Sequence, residues 1–261
     1  MSDTLQRGIS TLVRATEMAG GQSCWFGKKR LRLEPAVIIC LLCFSAGGST
    51  NAATEALQQS HDEVVCDDAE GHRESSACLE RFKGLVERAE DTLRLRLSNG
   101  QTKVYSGNSH ACDEGQAEKC VVYRLARFYP SLQSFLVSVS FYECGHYELV
   151  SRRTGSVIEI STIPRTSPGG KYLASTDDSD ACDRKYDVAI WSTATDPPSL
   201  EMKYQPARYE NWQITRWNGD DHLGLKASIN AETNQYDQEA EAVRTVDGWK
   251  LVLGKRIDKA R

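Results

Sequence analysis

The sequence predicts a mainly β protein, an antiparallel meander or sandwich with one N-terminal helix. Three observations carry this. Leu93, Arg94, Leu95, Arg96 and Leu97 alternate strictly between apolar and charged, the period of a half-buried strand. From Cys120 onward, short apolar runs follow one another with turn residues between them, as antiparallel strands do. No helix-length pattern interrupts those runs, which argues against a parallel α/β architecture.

The helix is expected over 75–89. Leu79, Phe82, Leu85 and Val86 recur at spacings of three and four and form one apolar stripe, while Glu74, Ser75 and Ser76 supply a start signal. A hairpin follows, with strands over 93–97 and 102–105. Its turn contains Asn99-Gly100, a pair that readily takes positive φ at both positions. Residues 106–120 read as a polar loop. In the next strand Phe135, Val137, Val139 and Phe141 alternate with Leu136, Ser138, Ser140 and Tyr142. Residues 147–151 pair across Arg153-Thr154-Gly155 with 156–160, and 171–175 follows Ser167-Pro168-Gly169-Gly170. Strands over 186–191, 200–204, 212–217 and 223–229 continue the series. The last pair is 243–246 with 249–253, joined across Asp247-Gly248.

The N-terminus has the order of a secretory signal. Lys28, Lys29, Arg30 and Arg32 precede the nine-residue apolar run Ala36–Phe44, and small residues lead to Ala52-Ala53. A bilayer-spanning helix needs about 20 apolar residues, so a cleaved signal is expected, with no stable membrane insertion afterwards. Cys43 does not read as a lipidation site, because Leu42 before it is large. Residues 1–17 precede Met18, a natural start. The organisation is therefore a signal peptide over 1–52, a flexible lead-in over 53–72 and a single disulfide-stapled domain over 73–261. The expected compartment is the periplasm or the exterior.

Beyond residue 52 the chain keeps 26 basic and 33 acidic residues, a net charge of about −7. That balance argues against nonspecific binding to nucleic acid or anionic membrane. Six cysteines remain there: Cys66, Cys78, Cys112, Cys120, Cys144 and Cys182. An even number in an exported chain implies pairing. Sequence alone leaves the pairing open, and proximity suggests 66–78, 112–120 and 144–182. No Cys-x-x-Cys or Cys/His cluster with zinc spacing occurs in this part.

Ser167-Pro168-Gly169-Gly170-Lys171-Tyr172, followed by Tyr186-Asp187-Val188-Ala189-Ile190-Trp191, resembles a β-propeller blade of the WD-repeat kind. Such blades carry a Ser-Pro-Asp-Gly turn before one strand and an Ile-Trp near the end of a later one. Trp217-Asn218-Gly219-Asp220-Asp221 echoes the turn, and Gly170 and Gly219 lie 49 residues apart, near the period of such repeats. Gly169 stands where the family pattern has aspartate. The resemblance covers residues 131–253 and implies a propeller-like partial stack of about three units, beside the meander or sandwich. The layout is also similar to that of exported bacterial proteins, which implies no activity.

The search for chemistry yields few candidates. No Gly-x-Ser-x-Gly elbow occurs, and oxidised cysteines are not nucleophiles. No phosphate loop or dinucleotide fingerprint is present, so no cofactor is expected. Of the histidines, His146 is the strongest candidate, at a hairpin beside Cys144. With Glu143 and Glu148 it forms an alternative active site, since glycoside hydrolysis needs two carboxyl groups at a defined separation. Asp177, Asp178, Asp180 and Asp183 are the densest oxygen cluster and the candidate metal site, although they lack the glycine and glutamate of an EF-hand. Tyr204, Arg208, Tyr209 and Trp212 combine aromatics with arginine, the composition of interface anchors. The expected function is a non-enzymatic binding, inhibitor or immunity-type module that recognises another envelope or extracellular protein. The alternative is a hydrolase of an envelope polymer with its site near His146.

Overall fold

The computed structural model describes residues 63–67, 74–177, 182, 185–208, 210–230 and 235–258. They form a mainly β structure of four antiparallel sheets.

The first part departs most from expectation. β1 (Val64–Val65) lies within the segment expected to be a flexible lead-in, and pairs with a later strand. The helix α1 is short (Ser76–Arg81). Gly84 takes φ 83°, a left-handed geometry that ends helices, and the chain turns into β2 (Val86–Ala89). The apolar stripe expected for one helix is thus divided between a helix and a strand. β3 (Thr92–Arg96) and β4 (Thr102–Ser106) make the expected hairpin and complete the first sheet in the order β2-β3-β4. In its turn Gly100 takes φ 84° and Asn99 does not have positive φ. The Asn99 side chain instead accepts the Gln101 N–H. Within the expected loop 106–120 lies a second short helix, α2 (Ser109–Asp113), capped by the Asn108 side chain.

The remaining sheets are sequential meanders. β5 (Val122–Tyr129), β6 (Ser134–Ser140), β7 (Gly145–Ser151) and β8 (Val157–Ile160) form the second, with β1 added outside β5. β9 (Arg165–Thr166), β10 (Tyr172–Thr176), β11 (Val188–Ser192) and β12 (Ser199–Tyr204) form the third. β13 (Asn211–Asn218), β14 (His222–Asn230), β15 (Gln235–Thr245) and β16 (Gly248–Asp258) form the fourth. The last hairpin is far longer than the expected 243–246 and 249–253. The polar run Gln235–Glu241 has little apolar alternation to announce a strand, and pairing with β14 along its length supplies the order.

The sheets stack in chain order. Val86, Leu93, Leu95 and Tyr105 of the first pack on Leu125, Phe135, Val137 and Val139 of the second, with Phe82 from the end of α1. The opposite face of the second sheet, with Leu136, Leu149 and Ile160, packs on Leu173, Ala189 and Trp191 of the third. The other face of the third, with Ala174, Val188, Ile190 and Met202, packs on Trp212, Leu223, Leu225 and Trp249 of the fourth. This explains why Phe135–Val137 and Val188–Trp191 are continuous apolar runs: both faces of these strands are covered. Each fully buried Leu, Val or Phe contributes about 1.5–3 kcal/mol.

Hydrogen bonds between turns tie neighbouring sheets at one end. The Ser98 N–H donates to the Arg152 carbonyl, joining first to second. Ser151 Oγ and Arg153 Nε both donate to Asp196 Oδ2, joining second to third. The Gly169 N–H donates to Asp220 Oδ1 at 2.7 Å, joining third to fourth. The disulfides are Cys66–Cys78, Cys112–Cys120 and Cys144–Cys182, the three that proximity suggests. No helix among the described residues is long and apolar enough to cross a membrane. The signal-peptide expectation over 1–52 lies outside the described residues.

Candidate functional site

At the opposite end, the β6–β7 connection carries the first group of candidates. Alternation along β7 puts His146, Glu148 and Val150 on one face and Tyr147 and Leu149 on the other. Val150 packs in the core between the first and second sheets, Leu149 in the core between the second and third. His146 and Glu148 therefore face the first sheet. Tyr105 from β4 donates its hydroxyl to Glu148 Oε2 at 2.5 Å. His146 Nε2 lies 3.9 Å from Glu148 Oε1, closer to an ion-pair neighbour than to a hydrogen-bond donor. His146 is the main cause holding the Glu148 carboxyl below the usual range. Burial opposes it, and Tyr105 and Lys103 reinforce it. Burial, then Glu148, pushes the Tyr105 phenol well up. Glu143 is exposed on the connection, and among the described residues it makes no ion pair with His146. The structure thus joins His146 to one carboxylate, pinned by a tyrosine, and not to two.

The second group gathers around a residue that sequence reasoning passed over. Glu210 is only 6% exposed. It accepts from Tyr204 Oη at 3.2 Å, Trp212 Nε1 at 3.0 Å and Arg208 Nε at 3.4 Å. Arg208 also reaches Tyr236 Oη at 3.0 Å. The Tyr204 and Trp212 rings meet edge to face at 5.6 Å. Burial, followed by the Glu210 charge, pushes the Tyr204 phenol up to about 12. Trp212 is 1% exposed, so it is a core residue and not a surface anchor. Of the expected set only Arg208 is exposed among the described residues, and Tyr209 lies outside them.

Of the candidate metal ligands, Asp177 is buried, and its N–H donates to the Asp187 carbonyl. Asp178, Asp180 and Asp183 lie outside the described residues. Among the described residues no group of three His, Cys, Asp or Glu side chains is arranged to hold a metal ion.

Between these groups runs an open groove of about 610 Å³. Three sheets and one link build it. The second sheet gives Ser138–Ser140 and Gly145–Tyr147, the β8–β9 link gives Ser161–Ile163, β9 and β10 give Arg165 and Thr176, and β13 gives Trp212–Ile214. The groove touches His146 but neither Glu143 nor Glu148, and no described lining residue is acidic. In the connection between the β6 and β7 residues that line it, Phe141 and Tyr142 are 42% and 53% exposed. Their loop is a tight turn, with the Phe141 N–H donating to the Cys144 carbonyl at 2.6 Å, and Cys144 is bonded to Cys182. The Phe141 ring lies 5.6 Å from that of His146. Two consecutive aromatics just past an alternating strand, followed by a cysteine, were the signal in the sequence. Reading Phe141 and Tyr142 as part of the strand hid it. No protein-family model, curated protein or solved structure matches the chain.

Proposed function

We propose that the chain is an exported, non-enzymatic binding module of inhibitor or immunity type. On this reading it recognises another envelope or extracellular protein through the groove and the Phe141–Tyr142 turn, and its stacked meanders are propeller-like units. One observation carries the reading: two adjacent exposed aromatics lie on a disulfide-pinned turn that connects β6 and β7, whose ends line an open groove. Exposed aromatics held rigidly lose little entropy on binding and serve as interface anchors. Three disulfides favour an oxidising compartment. Hydrolysis is supported less well, because the groove that reaches His146 is lined by no described carboxylate.

The test immobilises the mature protein and offers it the proteins exported by the same cells. The wild type and Val246→Ala, altered at a fully exposed residue of the β15–β16 turn, should retain one partner. Phe141→Ala with Tyr142→Ala should lose it, since a hot-spot aromatic is worth about 2 kcal/mol or more. Equal retention by all three would refute this interface.

A further inference from the structure

We infer that the groove holds an extended acidic segment of the partner, laid along the open edge of β13 with a carboxylate at Arg165. This rests on the binding reading above and specifies what the site selects.

Two features point to an extended peptide. β13 is an end strand of the fourth sheet, hydrogen-bonded on one side only to β14. Its three consecutive residues Trp212–Ile214 line the groove. Side chains alternate across a strand, so a groove lined by three in succession follows the backbone edge itself. β9, which carries Arg165, is likewise an end strand of the third sheet. An edge of this kind offers N–H and C=O groups that an added strand can pair with.

Charge selects the side chain. Mature-chain acids outnumber bases by 33 to 26, yet the described lining residues include the cationic types Arg165 and His146 and no acid. Glu148 lies behind the lining at 3.9 Å from His146 Nε2, which leaves Arg165 as the group for an incoming carboxylate. The Arg165 carbonyl is taken by Trp217 Nε1 at 3.2 Å, while its exposed guanidinium forms no ion pair among the described residues. A planar fork of donors matches a carboxylate in two-point contact. The rest of the polar lining is mainly hydroxyl, including Ser138, Ser140 and Thr176, and neutral hydroxyls accept carboxylates and peptide groups alike.

The test measures anisotropy of a labelled acetyl-Val-Glu-Val-Glu-Val-Glu hexapeptide on the intact protein. The controls are its Val-Gln counterpart and trigalacturonate, an acidic sugar whose three carboxylates match the three glutamates in number. The Glu peptide should bind about 10-fold tighter than the Gln peptide, the equivalent of one charge-assisted contact. Arg165→Gln should abolish that preference, and Arg165→Lys should restore part of it. Equal binding of the Glu and Gln peptides, or no binding of either, would overturn the inference. Arg165-dependent binding of the galacturonate alone would overturn it in favour of an acidic sugar. The two readings fail differently. A partner lost with Phe141→Ala and Tyr142→Ala but held equally by Arg165→Gln contradicts only the acidic groove. A partner held equally by all variants contradicts the interface itself.

Discussion

Glu148 of the second sheet accepts the Tyr105 hydroxyl from the first. His146 and the Tyr105 hydroxyl hold its carboxyl below the ordinary range. A folded value below the unfolded one gives stability that is complete above the ordinary glutamate range, about pH 4.3. That stability is lost as pH falls through the folded value. Glu148→Gln should therefore flatten the acid limb of a urea-midpoint curve and leave the limb above neutrality in place. Asp91, held low chiefly by Ser109, would keep part of the slope. An unchanged acid limb would contradict this role. Tyr105→Phe removes a donor from a carboxylate between two sheets, and should cost about 1–3 kcal/mol at neutral pH. A second contact explains why glycine stands at position 169. A Cβ built at Gly169 falls 2.2 Å from Asp220 Oδ2, because that carboxylate reaches in from the next sheet to bind the Gly169 N–H. Gly169→Ala should thus destabilise by displacing Asp220, and the loss should shrink in an Asp220→Ala background. Purely additive midpoints in that double-mutant cycle would refute the coupling.

Among the elements, the disulfides rank by what they close. Cys144–Cys182 spans 38 residues and Cys112–Cys120 spans 8. Loop-closure entropy makes the longer bridge more stabilising by roughly 1 kcal/mol. Replacing each pair with Ser and comparing denaturant midpoints should show that order, and equal midpoints would contradict it. Cys66 and Cys78 are buried in the core between the first two sheets, so Ser there adds the burial of polar groups to the loss of the bridge. The elements also show what was legible. Strands with one apolar face, such as β3, or two, such as β6 and β11, were readable because burial dictates their pattern. α1 is shorter than its pattern predicts, since Leu85 and Val86 keep helical spacing from Leu79 and Phe82 while Gly84 breaks the helix between them. β15 is longer than its pattern predicts, since its first half is ordered by the ladder with β14 and carries almost no apolar signal.

At the scale of the whole molecule, the sheets are local in sequence except for β1, which joins β5, and the groove is not local. Hairpin turns join neighbouring strands, so the order of strands follows from the turns the sequence displays. The groove draws residues from Ser138 to Ile214, and only the stacking of three sheets brings them together. Arg165 therefore carried no signal in the sequence, nor did Glu210, which ties Tyr204, Arg208 and Trp212 together. The central claim is that this end of the stack is the face that meets another protein. Photo-cross-linking in the cells that produce the chain tests it most directly. A photoreactive phenylalanine is placed in turn at Phe141, Tyr142, Val104 on the first sheet and Val246 in the last hairpin turn. All four residues are large and exposed, so each substitution leaves the core intact. A single protein cross-linked from Phe141 and Tyr142, and not from Val104 or Val246, is the predicted result. Cross-links from Val104 or Val246 with none from Phe141 and Tyr142 would contradict the account.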